Sequence, residues 1–111
     1  MKLITHIFMV MAPNKKVIFI KSFIKAMRTL KVASDCKVYH RDEGQYIHFK
    51  KGNLYFGYEK DIDRSHDSDC HYSELQLNAA LMHEFEHLFT IFIEHFAATY
   101  DTGSDHTIAL S

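Results

Sequence analysis

Residues 73–100 read SELQLNAALMHEFEHLFTIFIEHFAATY, and this stretch decides how the rest is arranged. Ser73 followed by Gln76 is an S-x-x-Q capping box, which opens a helix by satisfying two otherwise free backbone N–H groups. Neither Gly nor Pro follows until Gly103, so the pattern predicts one long helix reaching Tyr100. At about 100° per residue, Leu81, Phe85, Leu88, Phe92 and Phe96 fall on one side, widened by Met82, Phe89, Ile93 and Tyr100. A face that broad asks for a sheet to pack on. The opposite side carries Gln76, His83, His87, Thr90, Glu94 and Asp101.

Inside this stretch His83-Glu84-Phe85-Glu86-His87 matches H-E-x-x-H. Two imidazoles four residues apart on a helix reach one metal ion, and the glutamate between them can serve as general base for a metal-bound water. With Ala79-Ala80-Leu81-Met82 ahead of it, the motif resembles a zincin active-site helix over about ten residues. The resemblance implies zinc as cofactor, His83 and His87 as ligands, Glu84 as catalytic base, and a minimal zinc metallopeptidase. A catalytic zinc needs a third protein ligand. Metzincin-like enzymes turn at a Gly after the second His, where Leu88-Phe89-Thr90 here continues the helix. His66 or Cys70 could supply the missing ligand, giving H-x3-C-x12-H-x3-H. The competing reading, favoured here, is that these side chains form the wet face of an amphipathic helix with no resident cofactor.

A length of 111 residues predicts a single domain, and 47% hydrophobic residues with nine Phe suffice for one core. No apolar run reaches the roughly 18 residues of a membrane span, so no membrane partner is expected. Two cysteines, Cys36 and Cys70, do not make a disulfide framework, which points to a reducing, cytoplasmic setting. Net charge is −1 overall but polarised: residues 1–60 hold twelve Lys/Arg and four Asp/Glu, residues 61–111 one Arg and ten Asp/Glu. Such asymmetry points to charged partners, unless the halves face each other and neutralise.

Along the chain, Lys2–Met11 reads as a strand on its β-branched and aromatic content. Pro13 breaks it and Asn14 caps the next element. Residues 14–31 read as an amphipathic helix burying Phe19, Ile20, Phe23, Ile24, Met27 and Leu30, with Lys21, Lys25 and Arg28 as a basic stripe. Residues 36–59 read as a three-stranded antiparallel meander turning at Gly44 and Gly52. Val38, Ile47, Phe49, Leu54, Phe56 and Tyr58 alternate onto its core face, while Tyr39, Arg41, Tyr46, His48, Lys50 and Tyr55 take the other. Residues 60–72 read as a loop rich in potential ligands, and residues 106–111 as a short tail or extra strand.

The expected fold is α+β in two layers, β-α-β-β-β-α, with an antiparallel sheet against two helices and the C-terminal helix long. Its α-β-β-β-α portion resembles the double-stranded-RNA-binding domain in element order. That family has a Lys-rich segment at the start of its second helix; Asp67, Asp69 and Glu74 stand there here. The leading expectation is a small intracellular binding or regulatory protein, such as a viral or mobile-element inhibitor. It would meet a basic protein surface through Asp67, Asp69, Glu94 and Asp101. Besides the metallopeptidase, a third class is a nucleic-acid-binding module using Lys21, Lys25, Arg28 and the Tyr46, His48, Tyr55 face, because aromatics mixed with cations on an antiparallel sheet suit stacked bases. A dimer is compatible with any of these.

Overall fold

The computed structural model describes residues 2–59 and 70–111, apart from the side chain of Lys2. The elements are α1 (Lys2–Val10), α2 (Pro13–Thr29), β1 (Cys36–His40), β2 (Gln45–Lys50), β3 (Asn53–Tyr58), β4 (Cys70–Ser73), α3 (Ala79–Glu84), α4 (Glu86–Thr99) and β5 (His106–Leu110). The five strands form one sheet in the order β4-β3-β2-β1-β5. Strands β1 to β4 are antiparallel to their neighbours, and β5 runs parallel to β1 from Cys36↔His106 to His40↔Leu110. The fold is α+β, a sheet packed against helices.

The meander forms where alternation placed it. Val38, Ile47 and Phe56 stand in register across β1, β2 and β3, and all three are fully buried. Lys51 and Gly52 both take positive φ, 50° and 80°, the geometry that closes a two-residue hairpin with the sheet's own twist. Helix α2 buries Ile20, Ile24 and Met27 as its period requires. It starts on Pro13, whose missing N–H costs nothing at that position; Ala12 is the cap and Asn14 is not. Leu30, expected in the core, is exposed because α2 ends at Thr29.

Three departures have identifiable causes. Residues 2–10 are a helix rather than a strand. A short apolar run fits either period, and contacts distant in sequence decide: Ile4, Thr5 and Phe8, at helical spacing, turn inward. Phe8 meets the Phe19 ring at 5.6 Å and the Lys16 ammonium at 5.2 Å. Second, Ser73 and Gln76 do form the capping box, but over a single 3-10 turn; Asn78 caps α3 by accepting the Leu81 N–H at 2.9 Å. Third, the C-terminal segment takes the strand alternative as β5 but pairs parallel to β1, so the sheet is mixed rather than antiparallel, and residues 70–72 of the expected loop, with Ser73, are strand β4.

The long helix is also interrupted at Phe85, where φ −105° and ψ 13° leave the helical region. No Gly or Pro is responsible. The Gln45 amide on β2 donates to the Glu84 carbonyl at 3.0 Å, drawing away an oxygen that a continuous helix would use four residues on. Phe85 is fully buried against Phe56 and Tyr58, with ring centroids 5.3 Å away in each case. The kink thus lets Phe85 seat on β3 while α4 continues over β1 and β2.

Between the layers, among Ile, Leu, Val and Met side chains, runs a seam of packed aromatic rings. Phe56 touches Tyr72, Phe85 and Phe89; Phe49 touches Phe96, and Phe23 reaches both Phe92 and Phe96. Phe92 is fully buried, so Phe92→Ala is expected to lower unfolding free energy by about 3–5 kcal/mol in urea titration.

At the seam's far end the His95 ring lies 4.9 Å from that of His106, and among the described residues its Nε2 has no hydrogen-bond partner. Burial, then the neighbouring His106, hold the His95 pKa below its ordinary 6.5. Above that value folded and unfolded chains are both neutral here. Below it the unfolded chain takes a proton the folded one refuses, so stability falls with pH. Urea midpoints should therefore drop more steeply from about pH 7 to pH 5 in the parent than in His95→Gln.

Candidate sheet-face site

The helices gather on one face of the sheet, and alternation places the remaining strand side chains on the other. Across that open face the register runs Thr107, Lys37, His48, Tyr55, Ser73 in one row and Ala109, Tyr39, Tyr46, Gly57, His71 in the next. A depression of about 420 Å³ lies there, lined by Tyr46, His48, Lys50, Lys51, Asn53, Tyr55, Glu59 and His71. A second hollow of about 250 Å³ adjoins it, sharing Asn53 and Tyr55 and adding Arg28, Ser73, Glu74 and Leu75. Tyr55, 40% exposed, is the ridge between them.

Gly57 stands in register between Tyr46 and His71, which both line the first depression. Its φ of 150° disfavours any other residue, and a Cβ there would sit 1.9 Å from the Cys70 carbonyl oxygen. Tyr46 and His71 flank it in the register. Their rings approach to 5.6 Å, and the Tyr46 hydroxyl shares a 2.7 Å hydrogen bond with His71 Nδ1. Tyr46 is consequently buried although it lies on the open face. The Lys37 ammonium sits 5.6 Å from the Tyr46 ring and 2.9 Å from a Glu59 carboxylate oxygen. Burial, and then the Lys37 charge, keep the His48 pKa below its ordinary value, so the imidazole is neutral at neutral pH. Positive charge at the rim comes from Lys50 and Lys51.

Of the residues expected to bind nucleic acid, Tyr46, His48 and Tyr55 therefore come together. Lys21 and Lys25 lie on α2 in the helix layer and do not join them. Arg28 reaches round the end of the sheet to the second hollow. There its guanidinium meets the Glu74 carboxylate at 2.5 Å and its Nε donates to the Gly52 carbonyl at 2.7 Å. His71, Lys51 and Asn53 were not expected at the site. His71 had been placed in a loop, and only strand β4 brings it beside Tyr46. The acidic set is less concentrated: Glu94 and Asp101 are exposed on α4 and the turn after it, while Asp67 and Asp69 lie outside the described residues.

The H-E-x-x-H residues straddle the break between α3 and α4. Phe85 breaks the helix between the histidines, and His83 points to solvent, 80% exposed, with its Nδ1 4.0 Å from Glu86. Glu84 is held from two sides: its carbonyl by Gln45, and its carboxylate by the Tyr58 hydroxyl, which donates at 2.5 Å. Among the described residues no three His, Cys, Asp or Glu side chains gather to hold a metal. Of the suggested third ligands, Cys70 bonds the Tyr72 hydroxyl at 3.1 Å, and His66 lies outside the described residues. Cys36 and Cys70 are both free, and burial pushes the Cys36 thiol up to about 12.

The role of Glu84 as anchor makes a distinct prediction. Burial, followed by the Glu84 hydrogen bond, raises the Tyr58 pKa. Glu84→Gln should therefore bring one tyrosine's ionisation down toward its ordinary value in an ultraviolet difference titration against the parent. It should also cost about 1 kcal/mol of stability.

No protein family, characterised protein or solved structure matches this chain, so the chemistry of the sheet face itself carries the functional reading.

Proposed function

We propose that the chain is a binding module whose open sheet face takes a single-stranded nucleic acid. The observation that carries this reading is Tyr55, exposed on a ridge with a hollow to each side. A flat aromatic so placed offers a face to one base, while the hollows accept its neighbours. Stacking of this kind contributes about 1–3 kcal/mol per base and tolerates any sequence. Lys50 and Lys51 at the rim supply phosphate contacts. Neutral His48 and the amide of Asn53 offer hydrogen bonds to base edges. Arg28, already paired with Glu74, serves as a weaker outer contact.

A second reading keeps the acidic C-terminal half as the surface for a basic protein. It is supported by the exposure of Glu94 and Asp101, which no ion pair engages among the described residues. Charge reversal at these two positions would slow association with such a partner, mainly through the on-rate.

Fluorescence anisotropy with labelled single-stranded DNA and RNA tests the first reading. Binding should weaken linearly in log affinity against log salt, with the slope reduced by about one when Lys50 or Lys51 becomes Gln. Tyr55→Ala should cost about 1–3 kcal/mol of affinity while leaving the urea midpoint nearly unchanged. Tight binding by Tyr55→Ala, or no anisotropy change with either nucleic acid, would sink it.

A further inference from the structure

Residues 1–34 contain seven Lys/Arg and neither Asp nor Glu, a composition that the sheet-face reading leaves unused. Two of these cations are committed elsewhere: Lys16, buried, to Glu86 at 3.2 Å, and Arg28 to Glu74. Lys15 and Lys25 are exposed and Lys21 is half-buried, all on α2. Among the described residues no ion pair engages them. The same segment exposes large aliphatic side chains. On α1, Leu3 is 71%, Ile7 42% and Val10 72% exposed, at the spacing of one helical face. On α2, Ile18 is 58% exposed, and helical spacing sets it beside Lys15, Lys21 and Lys25.

These groups lie on consecutive helices joined by two residues. The Phe8–Phe19 contact and the Lys16–Phe8 contact set the end of α1 beside the first turns of α2, while α1 itself packs on α4. Both helices direct their buried residues into the same core and turn these groups to the outside. The result is an exposed aliphatic face on α1 followed along the chain by Ile18 among the lysines of α2, with no carboxylate contributed by either helix.

We propose that this face docks on an anionic lipid surface, with α1 lying in the interface and Leu3, Ile7 and Val10 entering the headgroup–acyl boundary. A short apolar helix followed by lysines is what such docking requires. Nine residues of α1 fall well short of the roughly 20 needed to cross, and no described helix is long and apolar enough to span a membrane. Charge decides against a second copy of the chain, because self-pairing would bring the α2 lysines of two molecules together. Nucleic acid would satisfy the lysines but has no use for aliphatic side chains. A bilayer containing anionic lipid satisfies both.

Vesicle flotation of the full chain tests this. Vesicles of phosphatidylcholine mixed with phosphatidylserine should carry the protein up, and phosphatidylcholine alone should carry far less. Added salt should release it. Changing Lys15, Lys21 or Lys25 to Gln should weaken partition about five-fold each. Ile7→Glu with Val10→Glu should abolish it while the circular dichroism spectrum and urea midpoint hold. Tyr55→Ala should float like the parent, which separates this surface from the sheet face. The proposal is overturned if phosphatidylserine vesicles leave the chain in solution, or if the glutamate pair floats as well as the parent. It is equally overturned if sedimentation shows a dimer that the glutamate pair dissolves, without vesicle binding.

Discussion

Everything in this molecule depends on the aromatic seam between α4 and the sheet. Seven of the nine phenylalanines are fully buried, and Phe56 alone touches Tyr72, Phe85 and Phe89. Large flat side chains on both sides of a two-layer core bury much area per residue, which a small domain needs. The seam also sets direction. With Phe85, Phe89, Phe92 and Phe96 turned to the strands, His83, His87 and Glu94 are turned to solvent. The histidines' exposure follows from packing on the opposite side of the helix.

Local pattern revealed those elements whose partners are near in sequence. The hairpins were legible because alternation and the Gly44 and Gly52 turns act over a few residues, and α2 and α4 because their apolar stripes are long. What escaped depends on distant partners. Residues 2–10 satisfy either period until Phe8 meets Phe19 and Lys16. The kink at Phe85 is made by Gln45, on a strand separated from it by the rest of the meander. The parallel pairing of β5 with β1, begun where the His106 N–H donates to the Asp35 carbonyl, joins residues seventy apart in sequence. The candidate site divides the same way: Tyr46, His48 and Tyr55 were visible by alternation, whereas His71 required β4.

The charge polarity of the sequence is partly resolved inside the fold. Lys16–Glu86 and Arg28–Glu74 each join the basic half to the acidic half. Lys16 is the telling case: a lysine nearly removed from solvent, with its stem in the core and its head on Glu86 and Phe8. Removing only Glu86 would strand a buried cation, a costlier change than losing an exposed pair. The pair therefore ties α2 to α4 under the aromatic seam. The lysines it leaves over, on the outward side of α2, are those available to partners.

The two faces of this fold are shaped by opposite demands. On the helix side the chain has run out of sheet to cover α1, and its aliphatic side chains stay outside. On the sheet side no described helix arrives, and the strands present their alternate residues there. Tyrosine and histidine meet that demand because each covers neighbouring backbone with a ring while keeping a polar tip in water. Tyr46 does so most fully, lying beside Gly57 where no side chain fits and closing onto His71. Because Gly57 contributes no bulk there, the strands can pinch together beneath the two rings. The depression and its tyrosine ridge are consequences of how an uncovered sheet protects its own backbone, and a surface built that way already has the aromatic faces and hydrogen-bonding groups that a planar ligand would use.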